Sequence, residues 1–326
     1  MAGFMAAVTA ARKGLSTALI EPNTFLGGTI LAESGVWDDC PTGFTEGSIA
    51  AELLTRLTER GGSPGIYQGI NHEGKTHGDR EWLPQTMLET ASDAGIRLYL
   101  QSTAAGVIQQ EGKVTGITFA GKSGTQALLA RQVIDATGNG VLARQMGASA
   151  SVQHPAVGRS ALGLGRVDLE KLLGWAEDKK LLHELCRAEG GRIVRMSFDL
   201  PFGGEDIPSR IRLVSNLPGR ITQMDAAETA LEGEDSVSLA AACIRMNAAA
   251  VRLAETMKEK LPGCENSFLD WTSSVPKMDF GGRFSPAAVQ APGFRLTGRA
   301  SAEGSFRNGQ LAGQQAADEL KHGGLL

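Results

Sequence analysis

The sequence has few of the residues that build metal sites and disulfide frameworks. Its four cysteines, Cys40, Cys186, Cys243 and Cys264, lie far apart, with no C-x-x-C pair and no cysteine–histidine cluster at metal-ligand spacing. We therefore predict no bound metal, no dithiol redox centre and a reducing, cytoplasmic environment. Cys40 follows a glycine-rich loop, as redox cysteines do in disulfide reductases, but without a second cysteine nearby a plain thiol is the simpler interpretation.

An excess of one charge and long apolar runs are also missing. The 32 basic and 36 acidic residues are interspersed and leave a net charge of -4, which gives no basic face for nucleic acid. The apolar runs are short and interrupted, and residues 1–11 lack a basic leader, so we expect neither a membrane span nor a signal peptide. The 42% hydrophobic content is that of a globular chain with a substantial core.

Glycine, in contrast, is abundant. The chain has 42 glycines in 326 residues, well above the average usage of about 7%, and they concentrate where strands are predicted to turn into helices. Because glycine has no Cβ, it lets the backbone approach a ligand closely. The composition therefore favours a fold that binds a ligand along its glycine-rich turns.

The opening segment MAGFMAAVTAARKGLSTALIEP predicts a helix over residues 2–13 and a short buried strand over 16–22. A dinucleotide-binding turn places glycines before a helix N-terminus, which receives the pyrophosphate, and an acidic residue about 20 positions later binds the ribose. Gly3 suits the third glycine of G-x-G-x-x-G, and Glu21 suits the acidic position. A close-packed helix followed by a solvated glutamate is the structural alternative.

Further glycine-rich segments follow predicted strands in the same way. They are FLGGT (25–29), VIDATGNG (133–140) and RLTGRASAEGSFRNGQLAGQQAADEL (295–320). In each, a flexible turn or a helix start could meet a diphosphate or the negatively charged edge of a reduced flavin.

The remaining pattern divides the chain into two regions. Helices are predicted over 46–62, 80–95, 140–148, 168–189, 236–260 and 305–320. Strands are predicted over parts of 96–135, with turns at Glu111-Gly112 and Ser123-Gly124, and over 192–200, 210–223 and 294–298. Residues 63–79 are expected to form polar turns. The glycine-punctuated rhythm stops near residue 150 and returns near 290. We therefore predict a discontinuous domain of residues 1–150 and 290–326, with residues 151–289 inserted as a second domain.

In order and spacing, these segments resemble the FAD-dependent oxidoreductase family of the glutathione-reductase-like flavoprotein superfamily. The resemblance rests on AGFMAAVTAARKGLSTALIEPNTFLGGT, GSIAAELLTRLTERGGSPG, GIRLYLQSTAAGVIQQEGKVTGI, ARQVIDATGNGVLARQMGA, AAAVRLAETMKEKLPGCENSFL and the closing GR…GS…R…GQ segment. It implies an α/β fold, in which a Rossmann-like FAD-binding domain with a mixed sheet carries an inserted α+β substrate or cap domain. It also implies noncovalent FAD and transfer of a hydride or electron pair between flavin and a small-molecule substrate.

The resemblance implies a role for particular residues. Ala2 and Gly3 would lie by the pyrophosphate, and Glu21 on the adenosine ribose. The other implied cofactor contacts are Gly27, Gly28 and Thr29 along the diphosphate and ribityl chain, Ala104, Thr137 and Gly138 near the adenine side, and Gly298, Arg299, Asn308, Gly309 and Gln310 on the flavin side.

Two departures from the family pattern limit this assignment. The family's first strand and its first two glycines would precede residue 1, so we expect the recorded start to be an internal methionine of a longer gene; a truncated or degenerate flavoprotein is the alternative. In addition, SVPKMDFGGRFSP (274–286) stands where many relatives carry Gly-x-Arg-Glu-x-Arg. The substrate-facing residues are therefore left open.

No side-chain arrangement in the sequence identifies a catalytic group. His72, His77 and Arg283 are the candidates, against the simpler interpretation that the histidines, like His154, are exposed in loops and that Arg283 and Arg299 are surface residues. Trp37 and Asp38 could line the isoalloxazine pocket. A noncatalytic partner-binding chain and a nicotinamide-only dehydrogenase are the rival functions, the latter disfavoured because a second G-x-G-x-x-G is missing. A homo-oligomer and a partner electron-transfer subunit are both left open.

Overall fold

The computed structural model describes residues 1–32, 36–37, 47–69, 74–202, 208–217, 219–273, 277–283, 291–297 and 302–322. Within these ranges the helices are α1 (Ala2–Arg12), α2 (Thr29–Ala32), α3 (Ile49–Glu59), α4 (Trp82–Asp93), α5 (Val141–Gln145), α6 (Leu169–Asp178), α7 (Ser236–Lys260) and α8 (Ala302–His322).

The strands are short in the first half of the chain and longer in the second. They are β1 (Ala18–Glu21), β2 (Val36–Trp37), β3 (Tyr67–Gln68), β4 (Gly74–His77), β5 (Arg97–Leu100), β6 (Thr103–Gln110), β7 (Lys113–Gly121), β8 (Gly124–Leu129), β9 (Val133–Asp135), β10 (Ser151–Val152), β11 (Val157–Gly165), β12 (Leu182–Arg187), β13 (Ile193–Asp199), β14 (Arg210–Leu217), β15 (Arg220–Ala230), β16 (Phe268–Thr272), β17 (Lys277–Asp279), β18 (Gly282–Arg283) and β19 (Phe294–Leu296).

Two parallel strand pairs form the part of the fold that the sequence predicts to bind a nucleotide. β1 pairs with β5, and β9 pairs with β19, both in parallel. Helix α1 contacts both pairs: a Cβ added at Gly3 would lie 3.2 Å from the Ala136 Cβ and 3.4 Å from the Leu19 Cδ1. Where we predicted one mixed sheet, the described residues contain these two separate pairs, because no described strand is hydrogen-bonded between β1 and β9.

Helices α1 and α8 lie in close contact through small residues. A Cβ on Gly309 would collide with the Ala2 backbone, 2.9 Å from its Cα, and a Cβ on Gly313 would lie 3.0 Å from the Ala6 Cα. Because backbone meets backbone here, neither glycine can accept a side chain without moving a helix. The C-terminal helix is thereby held against the start of α1.

A large antiparallel sheet makes up most of the second half of the chain. Its strand order is β12-β13-β14-β15-β11-β16, and β17 also pairs with β11. Helices α6 and α7 begin at capping aspartates, Asp168 and Asp235, whose carboxylates accept backbone N–H bonds from the first turn. The sheet and both helices share one apolar cluster, whose fully buried members include Leu162, Leu172, Phe198, Ile211, Leu253 and Met257.

Several local predictions are confirmed. Helix α7 spans the predicted residues, with Met246, Ala250 and Leu253 buried, while Leu239 and Cys243 are half-buried. The turn between β6 and β7 has Glu111 at φ 52° and Gly112 at φ 76°. Positive φ at both turn positions matches the twist of a two-residue hairpin.

Two predictions of secondary structure are wrong. The helix predicted over 168–189 ends at Asp178, because Lys180 adopts φ 58° and β12 then begins. The short apolar run of β12 fits either a helix or a strand. The segment 63–79, predicted as polar turns, contains β3 and β4. There the Thr76 hydroxyl lies 3.1 Å from the Ser63 hydroxyl and donates to the Gly65 carbonyl at 2.7 Å, so these polar groups are satisfied inside the protein.

Among the described helices, α7 alone has the length and apolar composition of a helix that could cross a membrane, although we predicted no span. Only 33% of its apolar stretch is buried inside the protein. A core helix of a soluble protein passes the same criterion, so this finding is weak evidence for a membrane span.

Candidate nucleotide-binding site

The carboxyl ends of β1 and β9 meet the N-terminus of α1. The first turn of α1 has no side-chain cap, so its free backbone N–H groups and the positive end of the helix dipole are available to an anion. The Met1 amino group donates to the Gly27 carbonyl at 3.2 Å, which joins the loop after β1 to this helix start. Ligands of open α/β sheets bind at such a carboxyl edge.

The loop between β1 and α2 requires glycine. Gly27 has φ 122° and Gly28 has φ 56°, and both values disfavour residues with a Cβ. Thr29 begins α2, and the structure describes its backbone only. Because these two glycines have no side chains, the loop exposes its backbone at the edge where α1 starts.

Glu21 lies at the last position of β1 in a defined orientation. Its Oε1 accepts hydrogen bonds from the Asn23 backbone N–H at 3.0 Å and from the Asn23 Nδ2 at 2.6 Å. Its backbone carbonyl accepts a bond from the Ser102 N–H at 3.0 Å, two residues before the half-buried Ala104. No described residue donates to Oε2, so one carboxylate oxygen is available to a diol.

Asp135, at the end of β9, organises the Ala-Thr-Gly turn, and the sequence analysis did not identify it. It is 1% exposed. Its Oδ1 accepts bonds from the Thr137 N–H at 3.0 Å and the Thr137 hydroxyl at 2.7 Å, and its Oδ2 accepts from the N–H groups of Leu142 and Ala143, both at 3.0 Å. One carboxylate therefore holds both the turn and the start of α5. A carboxylate at the end of a strand, two residues before a Thr-Gly turn, is the signal that could have revealed it.

The other predicted site residues lie on α8, in the turn that Asp135 holds, or outside the described ranges. Asn308, Gly309 and Gln310 lie on α8, where Gly309 contacts the Ala2 backbone and Gln310 is exposed. Gly138, with φ 79°, follows Thr137 in the turn that Asp135 holds. Five predicted residues lie outside the described ranges: Asp38, Cys40, His72, Gly298 and Arg299.

His77 is buried in a strand, whereas we predicted an exposed loop. It is 0% exposed in β4, its Nδ1 lies 3.1 Å from the Tyr67 hydroxyl, and its backbone pairs with Val36 of β2. It is therefore adjacent to the segment that follows the Gly27-Gly28 loop. Arg283, in contrast, lies in β18, whose backbone pairs with Ser151 of β10, and His154 is exposed as predicted.

A buried ionic cluster joins β4 to the large sheet. Lys75 Nζ lies 3.1 Å from Glu184 Oε1, and Arg195 Nε lies 2.9 Å from Glu184 Oε2, with all three side chains nearly buried. Desolvation by burial raises the pKa of Glu184, but the charges and hydrogen bonds of Arg195 and Lys75 outweigh it, so the pKa lies below its ordinary value. Removing Lys75 or Arg195 would leave a poorly compensated buried charge.

The cysteines in the described residues are free thiols. Burial, with a smaller contribution from Glu184, raises the pKa of Cys186 to about 11. Burial likewise raises the pKa of Cys264 to about 12. Both thiols are therefore protonated at neutral pH and poorly suited to redox chemistry.

In the native protein at pH 8, iodoacetamide is expected to modify Cys243 well before Cys186 and Cys264. The thiolate is the reactive species, and Cys243 is the more accessible of the three. Mass spectrometry of proteolytic peptides after timed alkylation measures this order, and protein unfolded in guanidinium chloride is the control in which all three react alike. Rapid native modification of Cys186 would contradict the assignment.

Comparison with known proteins identifies the family. The model of the family described as FAD dependent oxidoreductase matches residues 1–278. No curated protein sequence matches the chain.

Solved structures share the fold over nearly the whole chain. A geranylgeranyl bacteriochlorophyll reductase-like protein from Thermoplasma acidophilum has a TM-score of 0.63 at 15% identity, covering 99% of this chain and 77% of that one. The flavin-dependent brominase Bmp2 has a TM-score of 0.62 at 13% identity, covering 98% and 76%. The p-nitrophenol 4-monooxygenase PnpA from Pseudomonas putida DLL-E4 has a TM-score of 0.59 at 12% identity, covering 99% and 78%. At these identities the likeness shows the fold.

The donor set at the carboxyl edge fits a dinucleotide cofactor. An uncapped helix N-terminus suits a diphosphate, the positive-φ glycines Gly27 and Gly28 allow close backbone approach, and Glu21 offers a carboxylate oxygen to a ribose. The family match covers most of the chain, including each of these residues. The chain therefore belongs to the FAD-dependent oxidoreductase family, and its cofactor is FAD.

Proposed function

We propose that this chain binds FAD noncovalently along the carboxyl ends of β1 and β9 and catalyses the oxidation or reduction of a small molecule. When bound, FAD supplies the capacity to accept or donate a hydride or electron pair. The observation that carries the proposal is the meeting of the α1 N-terminus, the Gly27–Gly28 loop and Glu21 at one edge of the fold.

Each part of this edge has a distinct role in the proposal. Ala2 and Gly3 direct backbone N–H groups at the diphosphate, and Glu21 holds the ribose hydroxyls through Oε2. The further cofactor contacts in the proposal are Gly27, Gly28, Thr29, Thr137 and Gly138 in the two glycine-rich turns, Ala104 on β6, Gly298 and Arg299, and Asn308, Gly309 and Gln310 on α8. Asp135 acts on the cofactor indirectly, by holding the Thr137 turn in place.

Residues 151–289 are proposed to form the domain that faces the substrate, with residues 1–150 and 290–326 forming the FAD-binding domain. The large antiparallel sheet, which has an apolar core of its own, supports this division. Lys75 and Glu184 would then tie the two domains together. The unpaired thiols of Cys186 and Cys264 are consistent with the proposed reducing, cytoplasmic setting.

For proton transfer, His77 is the best supported of the three candidates. Its ring nitrogen contacts the Tyr67 hydroxyl, and β4 pairs with the strand that follows the Gly27–Gly28 loop. A histidine hydrogen-bonded to a tyrosine hydroxyl could pass a proton along that bond. His72 and Arg283 are the other candidates, Arg283 as the partner of an anionic substrate.

The visible absorption spectrum of the purified protein tests the proposal. Bands typical of oxidised flavin, present on purification or after adding FAD and removing the excess, are the expected result. A colourless protein that binds no added FAD would favour the noncatalytic, partner-binding function. Bleaching of the bands by NADH or dithionite under nitrogen shows that the bound cofactor can be reduced.

Replacing Glu21 with alanine is expected to weaken FAD binding by about tenfold or more, because two hydrogen bonds to a charged acceptor are lost. Isothermal titration of the apoprotein with FAD measures the change. Glu255→Ala, which removes a carboxylate from the solvent face of α7, is the matched control and should bind normally. Equal FAD affinities in the two variants would remove Glu21 from the ribose site.

A further inference from the structure

The outward face of α7 has an apolar stripe with coiled-coil spacing. Val237, Ile244 and Val251 are 79%, 71% and 38% exposed and follow one another at intervals of seven residues. Ala241 and Ala248 occupy the intermediate positions. The resulting 4-3-4-3 spacing is that of a helix seam that packs against another helix.

The fold does not need this stripe for its own core. The inward face of α7 is formed by different residues, of which Ala242, Met246, Ala250 and Leu253 are buried against the large sheet. The helix therefore has two apolar faces, and one of them is exposed to solvent. Solvent-exposed apolar stripes of this length mark interaction surfaces.

The charges at the two ends of α7 indicate which partner fits. Glu232 and Glu234 precede the helix, and Lys258 and Lys260 lie in its last turn. The two glutamates form ion pairs with Arg245 and Arg144, yet their side chains are still 77% and 51% exposed. Asp235 adds a third acidic group at the first end, and Glu259 lies between the two lysines at the other. The first end of the stripe therefore has a net negative charge and the last turn a net positive charge.

A second copy of α7 in the antiparallel direction complements this surface. With the pair centred between Ile244 and Ala248, each Ile244 faces the other copy's Ala248 and each Val251 faces its Ala241, while Val237 lies opposite Glu255 at the edge of the contact. In the same register Glu234 faces Lys258, and the two helix dipoles run in opposite directions. A parallel pair would instead place the acidic ends together. The antiparallel arrangement is also the self-complementary one that a two-fold axis perpendicular to the helices generates.

We propose that α7 is the contact by which two copies of this chain associate, with two-fold symmetry and with their α7 helices antiparallel. The area that one helix face can bury is at the small end of the range for protein interfaces. Association is therefore weak, with a dissociation constant on the order of micromolar.

Sedimentation equilibrium of the purified flavoprotein over a range of concentrations tests the contact. The wild-type chain should reach a dimer, and Ile244→Glu should raise the dissociation constant at least about tenfold, because it places two carboxylates near the symmetry axis. Leu129→Glu, at a side chain 76% exposed on β8, is the matched control and should dimerise like the wild type. A monomeric wild type, or equal loss in both variants, would overturn the proposal. Circular dichroism and bound flavin verify that each variant is folded.

A short bis-maleimide cross-linker tests the orientation. In the antiparallel pair Ala248→Cys lies close to its own copy, whereas two copies of Val237→Cys are separated along the axis by about 27 Å, given 1.5 Å per residue. Both variants also carry Cys243→Ser, because Cys243 lies on α7 near the centre of the pair. In this background only Ala248→Cys should yield cross-linked dimer above the level set by the remaining native cysteines. Equal cross-linking at position 237 would overturn the antiparallel arrangement.

A lipid surface is the competing occupant, because α7 also has the length and apolar composition of a membrane helix. Co-sedimentation with vesicles of phosphatidylcholine and phosphatidylglycerol distinguishes a lipid surface from a second copy of the chain as the occupant. The proposal is supported if the dimer remains in solution without the vesicles. Vesicle binding by a monomeric protein, lost in Ile244→Glu, would overturn it.

Discussion

Replacing Asp135 with alanine is expected to lower the free energy of unfolding by about 3 kcal/mol or more, and to weaken FAD binding as well. The carboxylate is 1% exposed and accepts hydrogen bonds from three backbone N–H groups and one hydroxyl. Each buried donor left without a partner costs about 1–3 kcal/mol. The Thr137 turn and the first turn of α5 lose their shared anchor.

Asp235→Ala is the matched control for this substitution. Asp235 caps α7 with bonds from the Val237 N–H and from the N–H and hydroxyl of Ser238, but it is exposed to solvent. Water can replace its bonds, so the expected cost is about 1 kcal/mol, that of an ordinary helix cap. Urea unfolding followed by circular dichroism gives both values, and FAD titration gives the affinities. If the two variants lose similar free energies of unfolding, burial does not determine how much Asp135 contributes to stability.

Replacing Gly313 with alanine is expected to destabilise the protein by about 1–3 kcal/mol, as overpacking does. Alanine normally stabilises a helix relative to glycine by about 1 kcal/mol. At this position, however, its Cβ would lie 3.0 Å from both the Ala6 Cα and the Thr9 Cβ and would collide with the Ala6 carbonyl. Helices α1 and α8 must move apart, and the N-terminus of α1 moves with them.

Gly174→Ala is the control with the opposite sign. Gly174 lies inside α6, and a Cβ there would meet nothing within 4 Å. We expect this variant to gain up to about 1 kcal/mol from helix propensity alone. Thermal and urea unfolding measure both changes. Stabilisation by Gly313→Ala would mean that the two helices are not in close contact in solution.

Local patterns predicted those elements whose formation depends on neighbouring residues. Helix α7 has a capping aspartate before it and a continuous helical period, and the β6–β7 turn has a glycine where a positive φ is required. Both signals are contained in short stretches of chain, so one sequence is enough to find them. The glycine-rich turns after β1 and β9 were predictable for the same reason.

The region around His77 was not predictable in this way. Its polar residues indicate an exposed loop, yet Tyr67, Ser63 and Thr76 satisfy their polar groups within the protein, while Lys75 pairs with Glu184 more than a hundred residues away. Burial of a polar side chain depends on whether partners are available, and distant segments supply some of those partners. The end of α6 at Asp178 is similar, because Leu182 and Leu185 suit either period until β13 pairs with them.

By itself, the sequence indicated the family and FAD through a resemblance that extends over nearly the whole chain, and it indicated the glycine-rich turns because these depend on residue types at short, regular spacings. The tertiary structure alone decided that Asp135 holds the Thr137 turn, that Gly309 and Gly313 hold two helices together, and that Val237, Ile244 and Val251 are exposed. Hydrogen-bond partners and burial are set by segments that meet only in the folded chain, and no local pattern specifies which segments those are.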